Sequence, residues 1–124
     1  MIPRYRAWLK KDKEMIDVEE IHFENGKIDF IGDAITWMCK SNDCVLMQST
    51  GLTDKNGKEI FEGDVVKMAK NVYSEPTNYE IVRHRGGAYR LESKQYGCEL
   101  WLRHTDCEIA GNIYENPELL EVSS

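Results

Sequence analysis

A mainly β, antiparallel fold follows from three features of this 124-residue chain. The dipeptides Asn25-Gly26, Asn56-Gly57 and Gly86-Gly87 each join two residues that tolerate positive φ, as a two-residue type I′ hairpin turn requires. Their flanks carry strand sequence, and Tyr79 and Ile81 alternate with Glu80 and Val82 in the period-two pattern of a half-buried strand. The stretch QSTGLTDKNGKEIFEGDVVKM, residues 48–68, then supplies strand, hairpin, short apolar step and strand in succession. The expected architecture is a small antiparallel barrel-like (SH3-like) sheet with hairpins, an N-terminal β lobe and a short C-terminal helical turn.

Taken in order, RYRAWLK is a strand ended by the polar turn KKDK, and EMIDVEEIHF can pair back onto it. IDVEEIHF leads into Asn25-Gly26 and KIDFI leaves it. DAITWMCKSNDC is ambiguous: Ile35, Met38 and Cys39 fit a short helix, whereas Thr36 and Trp37 also suit a strand. CVLMQS is continuous and apolar, so a buried strand is expected. Gly63 in Glu62-Gly63-Asp64 permits a tight bend before Val65, Val66 and Met68. AKNVYSEPTN, residues 69–78, carries loop residues and is expected to be a mobile excursion. Asn116-Pro117-Glu118 combines an N-cap residue, a proline at the first helical position and an acid in the first turn. Leu119 and Leu120 would dock that turn on the body. One domain over residues 1–124 is expected, with N-terminal hairpins in 1–36 as a sub-lobe and the barrel-like body in 45–124.

Hydrophobic residues at 41% and charged residues at 31% suit a globular protein. The net charge of −6 counts against wholesale binding of phosphate backbones, which attract basic surfaces. No apolar run approaches the roughly 20 residues that span a bilayer, and no signal peptide is visible, so no membrane partner is expected. The setting expected is the cytoplasm, where four cysteines stay reduced.

Three blocks, IPRYRAW, QSTGLTDKNGKEIFEGDVVKM and GNIYENPELLE, together resemble the YopX family of small phage and prophage proteins. The resemblance implies a mainly β fold, a bacterial host cell and a mobile-element origin. It implies no catalytic residues.

No constellation of chemistry-bearing residues has the spacing of an established site. Cys39-x₄-Cys44 is loose for a zinc knuckle, and Cys98, Cys107, His22, His84 and His104 do not complete one. A thiol nucleophile would need a base beside it, and no local motif supplies that. Asp17 with Glu19, and Glu62 with Asp64, are pairs that a chain with 22 acids forms by chance. No Walker or dinucleotide glycine pattern occurs, so no cofactor is expected. The chain is thus expected not to be an enzyme.

Two binding functions remain. One is a partner protein or a second copy, added at an open strand edge, with CVLMQS or the final IYENPELL covering or extending that edge. The other is nucleic acid, bound by Arg83, Arg85, Arg90 and Arg103 with Tyr89, Tyr96 and Trp101 interleaved. If Gly86 and Gly87 alone form the turn, Arg83 faces Arg90 across the strands, and that repulsive pair would favour an anion between them.

Overall fold

The computed structural model describes residues 4–18, 20–32, 38–40, 43–84, 87–94 and 96–121, with backbone alone for 20–24, 27–32, 38–40 and 121. Within these the protein is mainly β, with a few short helical turns. The chain divides into two compact units, Met1–Ser49 and Thr50–Ser124.

In the first unit, β1 (Tyr5–Leu9) turns through residues 10–13 into β2 (Glu14–Val18). Lys13 adopts φ 53 and its N–H donates to the Leu9 carbonyl, closing the turn. The register runs from Tyr5 opposite Val18 to Leu9 opposite Glu14. β1 pairs on its other side with the start of β6 (Cys44–Thr53), Leu9 opposite Cys44. Alternation puts Ala7, Leu9 and Cys44 in a small core packed by Ile16, Val18 and Leu46.

The segment EMIDVEEIHF is two strands with different partners. β2 belongs to β1, whereas β3 (Glu20–Glu24) pairs with β4 (Lys27–Gly32). Their hairpin is the expected two-residue turn, with both Asn25 (φ 54) and Gly26 (φ 78) left-handed and Glu24 opposite Lys27. β5 (Met38–Lys40) adds to β4, so Met38 and Cys39 are on a strand and not a helix. Residues 33–37 and 41–42, which hold the rest of that ambiguous stretch, lie outside the described residues.

The second unit begins within β6 and continues through β7 (Glu59–Phe61), β8 (Asp64–Met68), β9 (Thr77–Arg83), β10 (Tyr89–Glu92) and β11 (Gly97–Glu99). The chain then forms α1 (Leu100–Arg103), a 3-10 turn (His104–Asp106), β12 (Glu108–Asn112) and α2 (Glu118–Glu121). Five strands in the order β11-β10-β9-β8-β12 make an open sheet curled like half a barrel. Val66, Met68, Tyr79, Ile81 and Leu91 of this sheet form a buried cluster with Ile60 of β7, Leu100 of α1 and Cys107.

The segment 48–68 is the frame of this unit. The Asp54 carboxylate, only 3% exposed, accepts the N–H groups of Asn56 and Lys58 on Oδ1 (both 2.9 Å) and of Ile109 on Oδ2 (3.0 Å). One side chain thus shapes its own turn and pins β12. The turn is not the expected type I′. The Asp54 N–H meets the Lys58 carbonyl, and Gly57 alone takes positive φ (82°), so three residues form the loop. Gly63 (φ 86) donates to the Ile81 carbonyl at 2.9 Å and accepts from the Ile113 N–H at 2.9 Å. Buried Asp64 accepts the Phe61 N–H at 2.8 Å.

The end of the chain is built the same way. Asn112 Oδ1 accepts the N–H groups of Tyr114 and Glu115, and its own N–H donates to Asn116 Oδ1. The Asn116 carboxamide fills the space that a Cβ on Gly111 would need. The Asn116 side chain thus braces β12, and its carbonyl accepts the Leu119 N–H at the start of α2. Asn78 Nδ2 donates to the Leu119 carbonyl at 2.9 Å and holds α2 on β9.

Candidate interaction surface

Of the four arginines read as a surface, the structure disperses three, and Arg85 lies outside the described residues. The expected Arg83–Arg90 pair does not form. The His84 N–H meets the Ala88 carbonyl at 2.8 Å and the Gly87 N–H meets the His84 carbonyl, so the loop has three residues, not two. Register therefore shifts by one: Arg83 lies opposite Tyr89 and Arg90 opposite Val82. A one-residue shift moves a side chain to the other face of a sheet. Arg83, exposed, follows buried Tyr79 and Ile81 on one face of the sheet, whereas Arg90 stands on the other face with Glu80 and Glu92.

Arg90 is already compensated. Its Nε donates to Glu92 at 3.0 Å and its Nη1 to Glu99 at 2.9 Å, the residue opposite it on β11. His84 Nε2 reaches the same Glu92 oxygen at 3.2 Å. Bonding to Glu92 first, then to Glu99, holds the guanidinium charge against the partial desolvation of the site. Burial pushes the carboxyl of Glu80, opposite Glu92 on β9, above the usual range. A raised carboxyl favours the protonated folded form, and that contribution is lost as pH rises through the folded value. Ionised Glu80 thus costs stability at neutral pH. Glu80→Gln is expected to raise the melting temperature at pH 7 by roughly 1–3 °C, with the gain vanishing below the ordinary glutamate range, about pH 4. An equal gain at both pH values would remove ionisation as its cause.

The thiols and carboxylates singled out from sequence have structural surroundings. Burial first, then the charges of Cys98 and Asp106, pushes the Cys107 thiol up to about 12, so it is protonated at neutral pH. Burial also raises Cys98, against the lowering effect of Arg103 and Arg90. His104 Nδ1 lies 2.7 Å from the Thr53 carbonyl and must carry its proton there. Asp64 is spent on Phe61 and Asp17 is exposed, while Glu19, His22 and the Cys39 side chain lie outside what is described. Among the described residues no three His, Cys, Asp or Glu side chains are grouped to hold a metal ion. No helix among them is long and apolar enough to cross a membrane.

A different feature emerges at α1. Leu100 is fully buried, and a helix advances about 100° per residue, so the next two side chains point away from the core. Trp101 is 65% and Leu102 59% exposed. Arg103 then ties this turn down: Nε bonds Asp106 at 2.8 Å, Nη2 the Ala69 carbonyl at 2.9 Å and Nη1 the Lys70 carbonyl at 3.3 Å. The arginine read as a nucleic-acid ligand is a latch between α1 and the base of the loop after β8.

That loop carries its own order. Asn71 Oδ1 accepts the Tyr73 N–H at 2.8 Å and the Ser74 hydroxyl at 3.1 Å, an Asx turn. Lys70 Nζ sits 4.9 Å from the centroid of the Tyr96 ring, and Tyr96 meets buried Tyr79 edge-on at 6.2 Å. The turn so anchored presents Val72 (90% exposed) and Tyr73 (94% exposed). The two segments that Arg103 joins at Ala69 and Lys70 thus carry four large exposed apolar side chains.

The two segments expected to cover or extend a strand edge are placed as follows. β6, which contains CVLMQS, has β1 beside its first half and β7 beside its second. The IYENPELL segment packs on its own chain through Asn78 and Leu119. β12 is kinked by a bulge between Ile109 and Gly111 and braced by Asp54, and β11 has three residues, so the free edges of this sheet are short or distorted.

The fold and site define a small antiparallel β protein whose buried polar side chains secure turns and whose large exposed apolar side chains, among the described residues, lie on α1 and the loop after β8. The sequence model of the YopX protein family matches residues 4–121, and the chain belongs to that family. Protein EF1440 from Enterococcus faecalis, known from its crystal structure, is similar over 97% of this chain and 99% of its own, with 31% identity and a TM-score of 0.71. Protein YopX from Bacillus subtilis, also known from its crystal structure, shares the fold over 94% of this chain and 97% of its own, with 19% identity and a TM-score of 0.64. No curated protein matches the chain in sequence.

Proposed function

We propose that the chain is a non-enzymatic interaction protein of phage or prophage origin, acting in the bacterial cytoplasm by binding another protein or a second copy of itself. The observation that supports this reading is the outward display of Val72, Tyr73, Trp101 and Leu102 on backbone held by Arg103. Holding such side chains in water is unfavourable, and apolar clusters of this kind mark association sites on soluble proteins. Tryptophan and tyrosine are also the residues that most often carry interface energy.

Binding of nucleic acid through Arg83, Arg85, Arg90 and Arg103 has less support. Arg90 is paired with Glu92 and Glu99, Arg103 with Asp106, and Arg83 stands on the opposite face from Arg90. A tagged pull-down from the bacterial host, with and without nuclease, separates the two. A defined protein that survives nuclease, and whose capture falls in Trp101→Glu, is the expected result. Material lost on nuclease treatment, with capture unchanged in Trp101→Glu, would transfer the function to the arginines.

A further inference from the structure

Asn25-Gly26 and Asn56-Gly57 are the only places in the chain where glycine follows asparagine. Glycine has no side chain to shield its amide nitrogen, so that nitrogen can reach the carboxamide carbon of the asparagine before it. Both turns are exposed, and a Cβ on either glycine would meet nothing within 4 Å. Access therefore does not distinguish the two sites. Bonding does.

At Asn56-Gly57 every amide of the loop is held. The Gly57 N–H donates to the Asp54 carbonyl at 3.0 Å and the Lys55 N–H to the Cys107 carbonyl at 2.9 Å. The N–H groups of Asn56 and Lys58 donate to Asp54 Oδ1, both at 2.9 Å. Attack by the Gly57 nitrogen would require its N–H to leave Asp54 and the Asn56 backbone to rotate against a buried carboxylate. Asn25-Gly26 is closed differently. Its central residues take φ 54 and 78, and Glu24 lies opposite Lys27, so the closing bond belongs to the flanking residues. Among the described residues no backbone carbonyl accepts the Gly26 N–H.

We propose that Asn25 is a site of spontaneous covalent modification, converted to aspartate and isoaspartate through a succinimide with Gly26, while the fold protects Asn56. The Gly26 nitrogen loses its proton to solvent base and bonds to Asn25 Cγ. The Cγ–Nδ2 bond breaks and ammonia leaves. Water then opens the five-membered ring at one of its two carbonyls, with no net oxidation or reduction. Opening at the backbone carbonyl routes the chain through the former side chain and adds a methylene to the two-residue turn. Register across such a turn is set by loop length, so the isoaspartyl form cannot keep Glu24 opposite Lys27 unchanged. Either product adds one negative charge to a chain that already carries −6.

The test is to age the full chain in neutral buffer, once native and once unfolded in urea. The peptides holding Asn25 and Asn56 are then followed by mass spectrometry for a gain of one mass unit. In the native chain Asn25 is expected to convert at least about tenfold faster than Asn56, because the bonds around Gly57 must open first. In urea the two rates should converge, since neither pair then has a turn to hold it. Chromatography of the Asn25 peptide should resolve isoaspartate beside aspartate. Equal native rates, a faster native reaction at Asn56, or a ratio that persists in urea would overturn the proposal. So would a native chain that keeps Asn25 intact over the time in which the unfolded chain converts both sites.

Discussion

Asp54→Ala is expected to destabilise the protein by about 3 kcal/mol or more, a fall in melting temperature of roughly 10 °C. The carboxylate is buried and accepts three backbone N–H groups, from Asn56, Lys58 and Ile109. Alanine would leave those donors unpaired and release β12 from the Asn56-Gly57 turn together. Burial alone would raise the Asp54 carboxyl. The bonds from Ile109, Lys58 and Asn56, with the Lys58 charge, outweigh it and hold the group below its usual range. The folded form therefore favours ionised Asp54. Its contribution is complete above the ordinary aspartate value, about 3.9, and is lost as pH falls through the lower folded value. Asp54→Asn keeps the shape and removes the titration. Acid denaturation should accordingly be less steep below about pH 4 in that variant, followed by circular dichroism. An unchanged acid limb would show that Asp54 is not one of the groups that acid protonates to unfold the chain.

Leu100→Ala should cost about 2–5 kcal/mol and abolish partner capture. Leu100 is fully buried in the main core and is the one side chain of α1 that is buried there, beside the polar latch of Arg103. Its loss leaves a cavity under the turn that orients Trp101 and Leu102. Trp101→Glu separates the two effects, since Trp101 is largely exposed and its replacement should leave the melting temperature within about 1–2 °C. Lost capture with retained stability in Trp101→Glu, beside lost capture with lowered stability in Leu100→Ala, identifies the exposed ring as the contact and Leu100 as its support. Capture that survives Leu100→Ala despite the lower melting temperature would place the contact elsewhere.

Much of the frame was legible because turns and strands leave local signatures. Asn25-Gly26 was read correctly to the residue, since two consecutive positive φ values have few other uses. The frame role of residues 48–68 followed from Asp54, Gly57, Gly63 and Asp64, each with its own local task. The family resemblance rests on IPRYRAW, on residues 48–68 and on GNIYENPELLE, and in the last block the Asn112 and Asn116 side chains build turns while Gly111 leaves room for Asn116. Membership in the YopX family therefore specifies a fold and leaves the chemistry open.

The expected Arg83–Arg90 pairing failed on loop length. A two-residue and a three-residue loop both suit Gly86-Gly87, and only the closing bond between His84 and Ala88 distinguishes them. One residue of difference moved Arg90 from a position beside Arg83 to a position between Glu92 and Glu99. The apolar display did have a signal. Leu100, Trp101 and Leu102 are consecutive, and a single helical turn cannot bury three successive large side chains in one core. Val72 and Tyr73 similarly stand among polar loop residues with no strand alternation to bury them. What the sequence could not show is that Arg103, through the Ala69 and Lys70 carbonyls, joins the two segments.

Under the proposed function the exposed residues of α1, and not the arginines, carry binding. The most direct measurement is capture from nuclease-treated host lysate and by an immobilised second copy, comparing wild type, Trp101→Glu and the double variant Arg83→Gln/Arg90→Gln at matched melting temperature. Loss of capture in Trp101→Glu with full retention in the arginine variant is the result expected. Full capture by Trp101→Glu, with loss in the arginine variant, would contradict it.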